Sequence, residues 1–162
     1  MRVASGNLCE AEAPTEATAE TKPENHYFTE ENTMNAKTER QIENLKKQTI
    51  GVEIEMNHIT RERAAKLAAD FFGTGRYEFT ASRNGYSTWS AWDAQGREWK
   101  FQKDVSIAGC DAEKCELVTP ILKYEDIETL QELVRKLRKA GAISHAGIGA
   151  GVHIHIGANG HT

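Results

Sequence analysis

Gly151-Val152-His153-Ile154-His155-Ile156-Gly157 is the stretch around which the rest of the chain can be read. Glycine bounds it at both ends, and apolar and imidazole side chains alternate between. Side chains alternate across a β-strand, so the pattern predicts a short strand with His153 and His155 on one face and Val152, Ile154 and Ile156 on the other. The apolar face is expected to bury itself against helices. The other face then presents two imidazoles side by side, within reach of one metal ion or phosphate. Gly51-Val52-Glu53-Ile54-Glu55-Met56 repeats the design with acids in place of histidines. If both strands join one sheet with their apolar faces on the same side, carboxylates and imidazoles converge. Two carboxylates on one strand face repel unless a cation sits between them, which is the physical case for a metal site.

Composition narrows the setting. The 162 residues suit one domain of ordinary size. A net charge of -4, with acids and bases mixed along most of the chain, gives no electrostatic reason to expect nucleic acid. Apolar residues make up 39%, below the roughly 45–50% usual in globular chains, and the deficit lies mainly near the N-terminus. Residues 1–47 therefore read as a disordered acidic tail followed by a weak helix. Glu10, Glu12, Glu16, Glu20, Glu24, Glu30 and Glu31 outweigh Arg2 and Lys22, and such a segment buries too little surface to offset its ordering entropy. His26, Tyr27 and Phe28 form its one candidate docking patch. Cys9, Cys110 and Cys115 are an odd set without a secretory signal, which points to reduced thiols and the cytoplasm. Their spacing does not make a zinc finger. No apolar run approaches the roughly 18–20 residues that span a bilayer, so no membrane partner is expected.

Residues 48–162 carry the pattern of a folded domain. Gln48 to Met56 is the first strand. Thr60 is placed to cap a helix with Ala64, Leu67, Ala68 and Phe71 as its stripe, closed by Gly73. Gly73 to Gly85 reads as loop. Tyr86 to Asp93 and Arg97 to Asp104 read as a hairpin around the turn Asp93-Ala94-Gln95-Gly96. In its second strand Lys100, Gln102 and Asp104 share one face, opposite Trp99, Phe101 and Lys103. The density of tryptophan suits sheet packing, with substrate stacking by one of them as the alternative. Cys115 to Pro120 is a strand ended by proline, with Glu116 on the face opposite Leu117. Tyr124 to Ala140 is the clearest helix, with the stripe Ile127, Leu130, Val134 and Leu137. Strands and helices mix without regular alternation. The expected class is α+β: a mostly antiparallel sheet with helices on one face, the other face carrying acids and histidines.

Glu53, Glu55 and Glu116 are hard oxygen donors, which favour magnesium or manganese over metals that prefer sulfur. His153 and His155 complete such a site or donate to phosphate oxygens. Alternating Glu is also common on the solvent face of an antiparallel sheet, and His-x-His equally suits zinc or iron.

In order along the chain, Gly51-Val52-Glu53-Ile54-Glu55, Lys103-Asp104-Val105-Ser106-Ile107, Glu116-Leu117-Val118-Thr119-Pro120 and Gly151-Val152-His153-Ile154-His155-Ile156 resemble the successive motifs of the amidoligases. These are carboxylate-amine ligases related to glutamine synthetase and glutamate-cysteine ligase. The resemblance covers roughly Thr49 to the C-terminus. It implies a glutamine-synthetase-like catalytic sheet, and a ligase that uses ATP and magnesium (or manganese) to activate a carboxylate as an acyl phosphate for attack by an amine. It also implies roles. Glu53, Glu55 and Glu116 match metal-binding acids, and His153 matches the metal-binding histidine. His155 matches the histidine that contacts the nucleotide phosphates. Asp104 matches the acid of the D-x-S segment and joins the catalytic set. The expected partners are a carboxylate and an amine substrate, with peptide, protein and cell-wall fragments all open. Family members continue beyond the histidine strand, so the chain reads as an N-terminal part whose sheet is incomplete, completed by a missing C-terminal half or by a second copy. The rival expectations are a degenerate, non-catalytic nucleotide- or metal-binding domain and a His-x-His metal hydrolase.

Overall fold

Period-two alternation of apolar and polar residues runs through four short segments, and each forms a strand; two more strands are set by pairing. The structure, a computed structural model, describes residues 36–80 and 85–158. In chain order the elements are α1 (Ala36–Lys46), β1 (Ile50–Met56), α2 (Arg61–Phe71), β2 (Tyr77–Phe79), β3 (Trp89–Trp92), β4 (Glu98–Gln102), β5 (Cys115–Val118), α3 (Ile127–Lys139) and β6 (Val152–Ile156). The strands make one antiparallel sheet in the order β2-β3-β4-β5-β1-β6. The fold is α+β. The acidic tail expected before α1, and with it His26, Tyr27 and Phe28, lies outside the described residues.

Helices α2 and α3 pack on one side of the sheet, and the core lies between. Thr60 caps α2: its hydroxyl accepts a hydrogen bond from the Arg63 amide at 3.2 Å. The helix turns Ala64, Ala65, Ala68 and Ala69 inward, all fully buried. These small side chains let the helix approach the sheet closely, and the large ones come from the strands. Trp99 and Phe101 of β4 and Leu117 of β5 are fully buried there, each contributing roughly 1.5–3 kcal/mol. Leu67 and Phe71, expected in the inward stripe, instead stay half-buried in a groove against α3. Helix α3 buries Leu130, Leu133 and Leu137; Val134 sits beside this row and Leu133 takes the central place. Tyr124–Asp126, expected as part of that helix, is one tighter 3-10 turn. Helix α1 forms where a weak helix is expected and buries no residue.

Two expectations are corrected. Gly73 to Gly85 is not all loop: Tyr77–Phe79 pairs with Trp89–Ala91 as the sheet's first edge. The apolar face of β6 is not buried. Val152, Ile154 and Ile156 are 56%, 63% and 62% exposed, because β6 is the other edge and α3 reaches only as far as a groove that Val152 shares with Val134 and Leu137.

Loops tie the sheet's ends together. The Asp93 carboxylate accepts from the Gln95 and Arg97 amides, closing the β3–β4 turn, and from Trp99 Nε1 at 3.0 Å. Arg97 joins this turn to the start of α3, pairing with Asp93 at 2.8 Å and in a two-pronged fashion with Asp126 at 2.9 Å. Pro120 cannot extend β5, and Thr119 ends the ladder: its amide donates to Val52 O and its hydroxyl accepts from Val52 N. No helix among the described residues is long and apolar enough to cross a membrane. Cys110 and Cys115 are both free thiols; burial pushes the Cys115 thiol up to about 12.

Candidate metal centre

The sheet face opposite the helices is built row by row from strand register. Glu55 of β1 lies opposite Glu116 of β5, and Glu116 lies opposite Gln102 of β4. One pair further along, Glu53 faces His153 of β6, and Gly51 faces His155. The absence of a side chain at Gly51 leaves His155 beside the Glu53 carboxylate. His153 Nδ1 is 3.2 Å from Glu53 Oε2, and His155 Nε2 is 3.4 Å from Glu53 Oε1. One carboxylate thus orients both imidazoles.

Ligand atoms gather in two overlapping groups. Glu53, Glu116 and His153 offer atoms within 4.8 Å of one another, and so do Glu55, Asp104 and Glu116. Glu116 belongs to both. His155 is in neither group and lies against Glu53. The structure therefore brings all six residues singled out in the sequence to one place. The face is less open than its pattern implies: Glu55 and Glu116 are only 5% and 6% exposed.

Two loops place the remaining groups. The segment after β4 turns at Asp104, whose Oδ1 accepts from the Ser106 amide and hydroxyl, both at 2.7 Å. The glycine-rich segment before β6 packs against it, with Ala108 N donating to Ile148 O. Gly149 has φ +71, and a Cβ there would lie 2.9 Å from Ser106 O, so only glycine fits. Two residues on, the Gly151 amide donates to Glu55 Oε2 at 2.7 Å. Asn57 Nδ2 donates to Ala108 O, and the Asn57 backbone bridges Ile143, fixing the end of β1.

Charge crowding is visible in the acids. Burial pushes the Glu116 carboxyl up; the Gln102 hydrogen bond opposes this, and Glu53, Asp104 and Glu55 push it further up. Burial also acts against ionised Asp104. The Ser106 hydroxyl and amide, a hydrogen bond with Glu55 and nearby His153 outweigh it, so Asp104 lies below the ordinary range. Oxygen donors with one or two imidazoles, crowded enough to gain from a positive charge, suit a hard divalent ion.

Sequence reasoning gave no role to Gln102, whose amide Nε2 donates to Glu116 Oε2 at 2.7 Å, or to the Gly151 amide. Gln102 was visible only as a member of a polar strand face. Which strand lies beside it decides its partner, and that is not written locally.

An antiparallel sheet with helices on one side and a cluster of acids and histidines on the other defines the class: an α+β protein with a polar sheet-face site. Residues 46–162 match the family described as "Putative amidoligase enzyme". The chain belongs to this amidoligase family, whose description makes it a ligase. Neither a curated protein nor a solved structure gives a significant match.

Proposed function

We propose that this domain is an ATP- and magnesium-dependent carboxylate-amine ligase that forms an amide bond through an acyl phosphate. The observation that carries the reading is the pair of three-residue groups sharing Glu116 on the sheet face of an amidoligase chain. In such a reaction a carboxylate oxygen attacks the terminal phosphorus of ATP and ADP leaves. The amine nitrogen then attacks the acyl carbon, phosphate leaves, and the nitrogen gives up a proton.

The residues divide the work by chemistry. Glu53, Glu116 and His153 would hold one divalent cation, and Glu55, Asp104 and Glu116 a second. Bound there, the ions would neutralise charge on the phosphate oxygens. Glu53 keeps both imidazoles turned toward the cluster. His155, outside both groups and turned to Glu53 through Nε2, would donate a hydrogen bond to a phosphate oxygen from Nδ1. The Ser106 hydrogen bonds keep Asp104 ionised, and the Gly151 amide keeps Glu55 in place. Burial of Glu55 and Glu116 keeps bulk water from the acids, which strengthens every interaction with a charged substrate.

Release of ADP and phosphate with magnesium, in the presence of mixed peptide carboxylates and amines, tests the reading. Glu53→Ala and His153→Ala are each expected to reduce turnover by at least about a hundredfold. Turnover that survives both substitutions would sink the assignment.

A further inference from the structure

We propose that Gln102 is a positioning residue: its amide holds the Glu116 carboxylate in the one orientation that serves both ligand groups. The inference rests on the metal-binding reading above and extends it to a side chain outside either group.

The geometry is specific. Gln102, Glu116 and Glu55 stand opposite one another on β4, β5 and β1, so their side chains rise from the same face of three neighbouring strands. Glu116 is the sole member common to both groups. Its carboxylate must therefore present lone pairs in two directions at once. A carboxylate has about four acceptor positions, and the 2.7 Å bond from Gln102 Nε2 to Oε2 occupies one. That bond stops rotation of the carboxylate about its last torsion while leaving the other positions free. The chemistry of the side chain matters as much as its reach. Lysine or arginine here would compete with a cation for Glu116. Glutamate would add a fifth carboxylate to Glu53, Glu55, Asp104 and Glu116. A neutral amide donor fixes the ligand without changing the charge of the site. Groups that orient metal ligands in this way typically alter metal affinity 10- to 100-fold when removed.

Manganese titration of the full chain, followed by electron paramagnetic resonance and calorimetry, tests this without any turnover assay. Gln102→Leu and Gln102→Met keep the bulk and lose the donor. Both are expected to weaken manganese binding about tenfold or more at both sites. Asp104→Asn, which touches one group, is expected to weaken one site only. Thermal melts in chelator separate orientation from folding: the Gln102 variants lose one hydrogen bond to a buried carboxylate and should melt several degrees below wild type, still in a single cooperative transition. Wild-type chain that takes up no manganese overturns the metal reading and this inference with it. Wild-type uptake that Gln102→Leu and Gln102→Met match within twofold overturns the inference alone. Collapse of the fold in both variants would make Gln102 a structural residue and equally overturn it.

Discussion

At the scale of single residues, the site stores repulsion that a cation would relieve. Glu116 is the clearest case, since burial and three neighbouring acids all act against its charge. A carboxyl raised in the folded state costs nothing while protonated, below its ordinary value near 4.3. The cost is carried in full once pH exceeds the raised value. Glu116→Gln should therefore stabilise the metal-free chain at pH 7 by about 1 kcal/mol, with the gain shrinking as pH falls toward 4. Saturating magnesium should reverse the ranking, because an ion that binds only the folded state stabilises by mass action. Melting curves in chelator and in magnesium check both halves; a less stable Glu116→Gln in chelator would refute the stored-repulsion account. Gly149 makes a different point. Alanine there meets both a left-handed φ and the Ser106 carbonyl, so Gly149→Ala should cost roughly 2 kcal/mol by thermal melt. The loop must shift away from Ser106, which holds Asp104, so manganese affinity should fall with it.

At the scale of elements, the contacts that hold loops to helices matter as much as the sheet. Arg97 joins the β3–β4 turn to the 3-10 turn that leads into α3 through Asp93 and Asp126. Arg97→Met would strand a buried Asp93 with fewer partners and should cost about 3 kcal/mol. Burial raises Asp93, but hydrogen bonds from Trp99 and Arg97 more than offset it. The Arg97 hydrogen bond holds Asp126 low. Lowered carboxyls stabilise the fold above the ordinary Asp value near 3.9 and lose that contribution as pH drops through their folded values. The melting-temperature gap between wild type and Arg97→Met should therefore be full at pH 6 and close below about pH 4. A gap independent of pH would mean the loss is packing alone. The same elements show what local pattern can reveal. Clean alternation marks β1, β4, β5 and β6, and Thr60 with Gly73 brackets α2. Tyr77–Phe79 is too short to establish a period, so its pairing with β3 decides it. In α2 hydropathy favours Leu67 and Phe71, yet the alanines face the sheet because the bulk is supplied by Trp99 and Phe101. The acids and histidines of the site were legible because each alternates within its own strand. Gln102 and the Gly151 amide were not, because their partners come from other strands.

At the scale of the whole molecule, the sheet ends in an edge of an uncommon kind. β6 bonds to β1 through the alternate residues: Gly151 O accepts from Glu55 N, and Gly157 N donates to Thr49 O. The two-residue period turns His153 and His155 toward β1 as well, so the backbone groups of Val152, Ile154 and Ile156 point outward. Natural edges are usually blunted by lysine, proline or a bulge, and β6 carries none of these. Its outer backbone, unpaired among the described residues, sits beside three exposed β-branched side chains, a combination that templates strand addition. The isolated chain should accordingly self-associate with rising concentration, and at rates that salt changes little, because the contact is apolar and backbone-driven. Ile154→Lys puts a charge at the centre of that edge while leaving His153 and His155 on the opposite face. At a site this exposed the substitution should alter folding stability by no more than about 0.5 kcal/mol. Sedimentation and light scattering are expected to show a more monodisperse Ile154→Lys than wild type, at an unchanged melting temperature in dilute solution. Equal monodispersity would mean that the edge is already satisfied, and the exposed strand would lose its significance as a pairing surface.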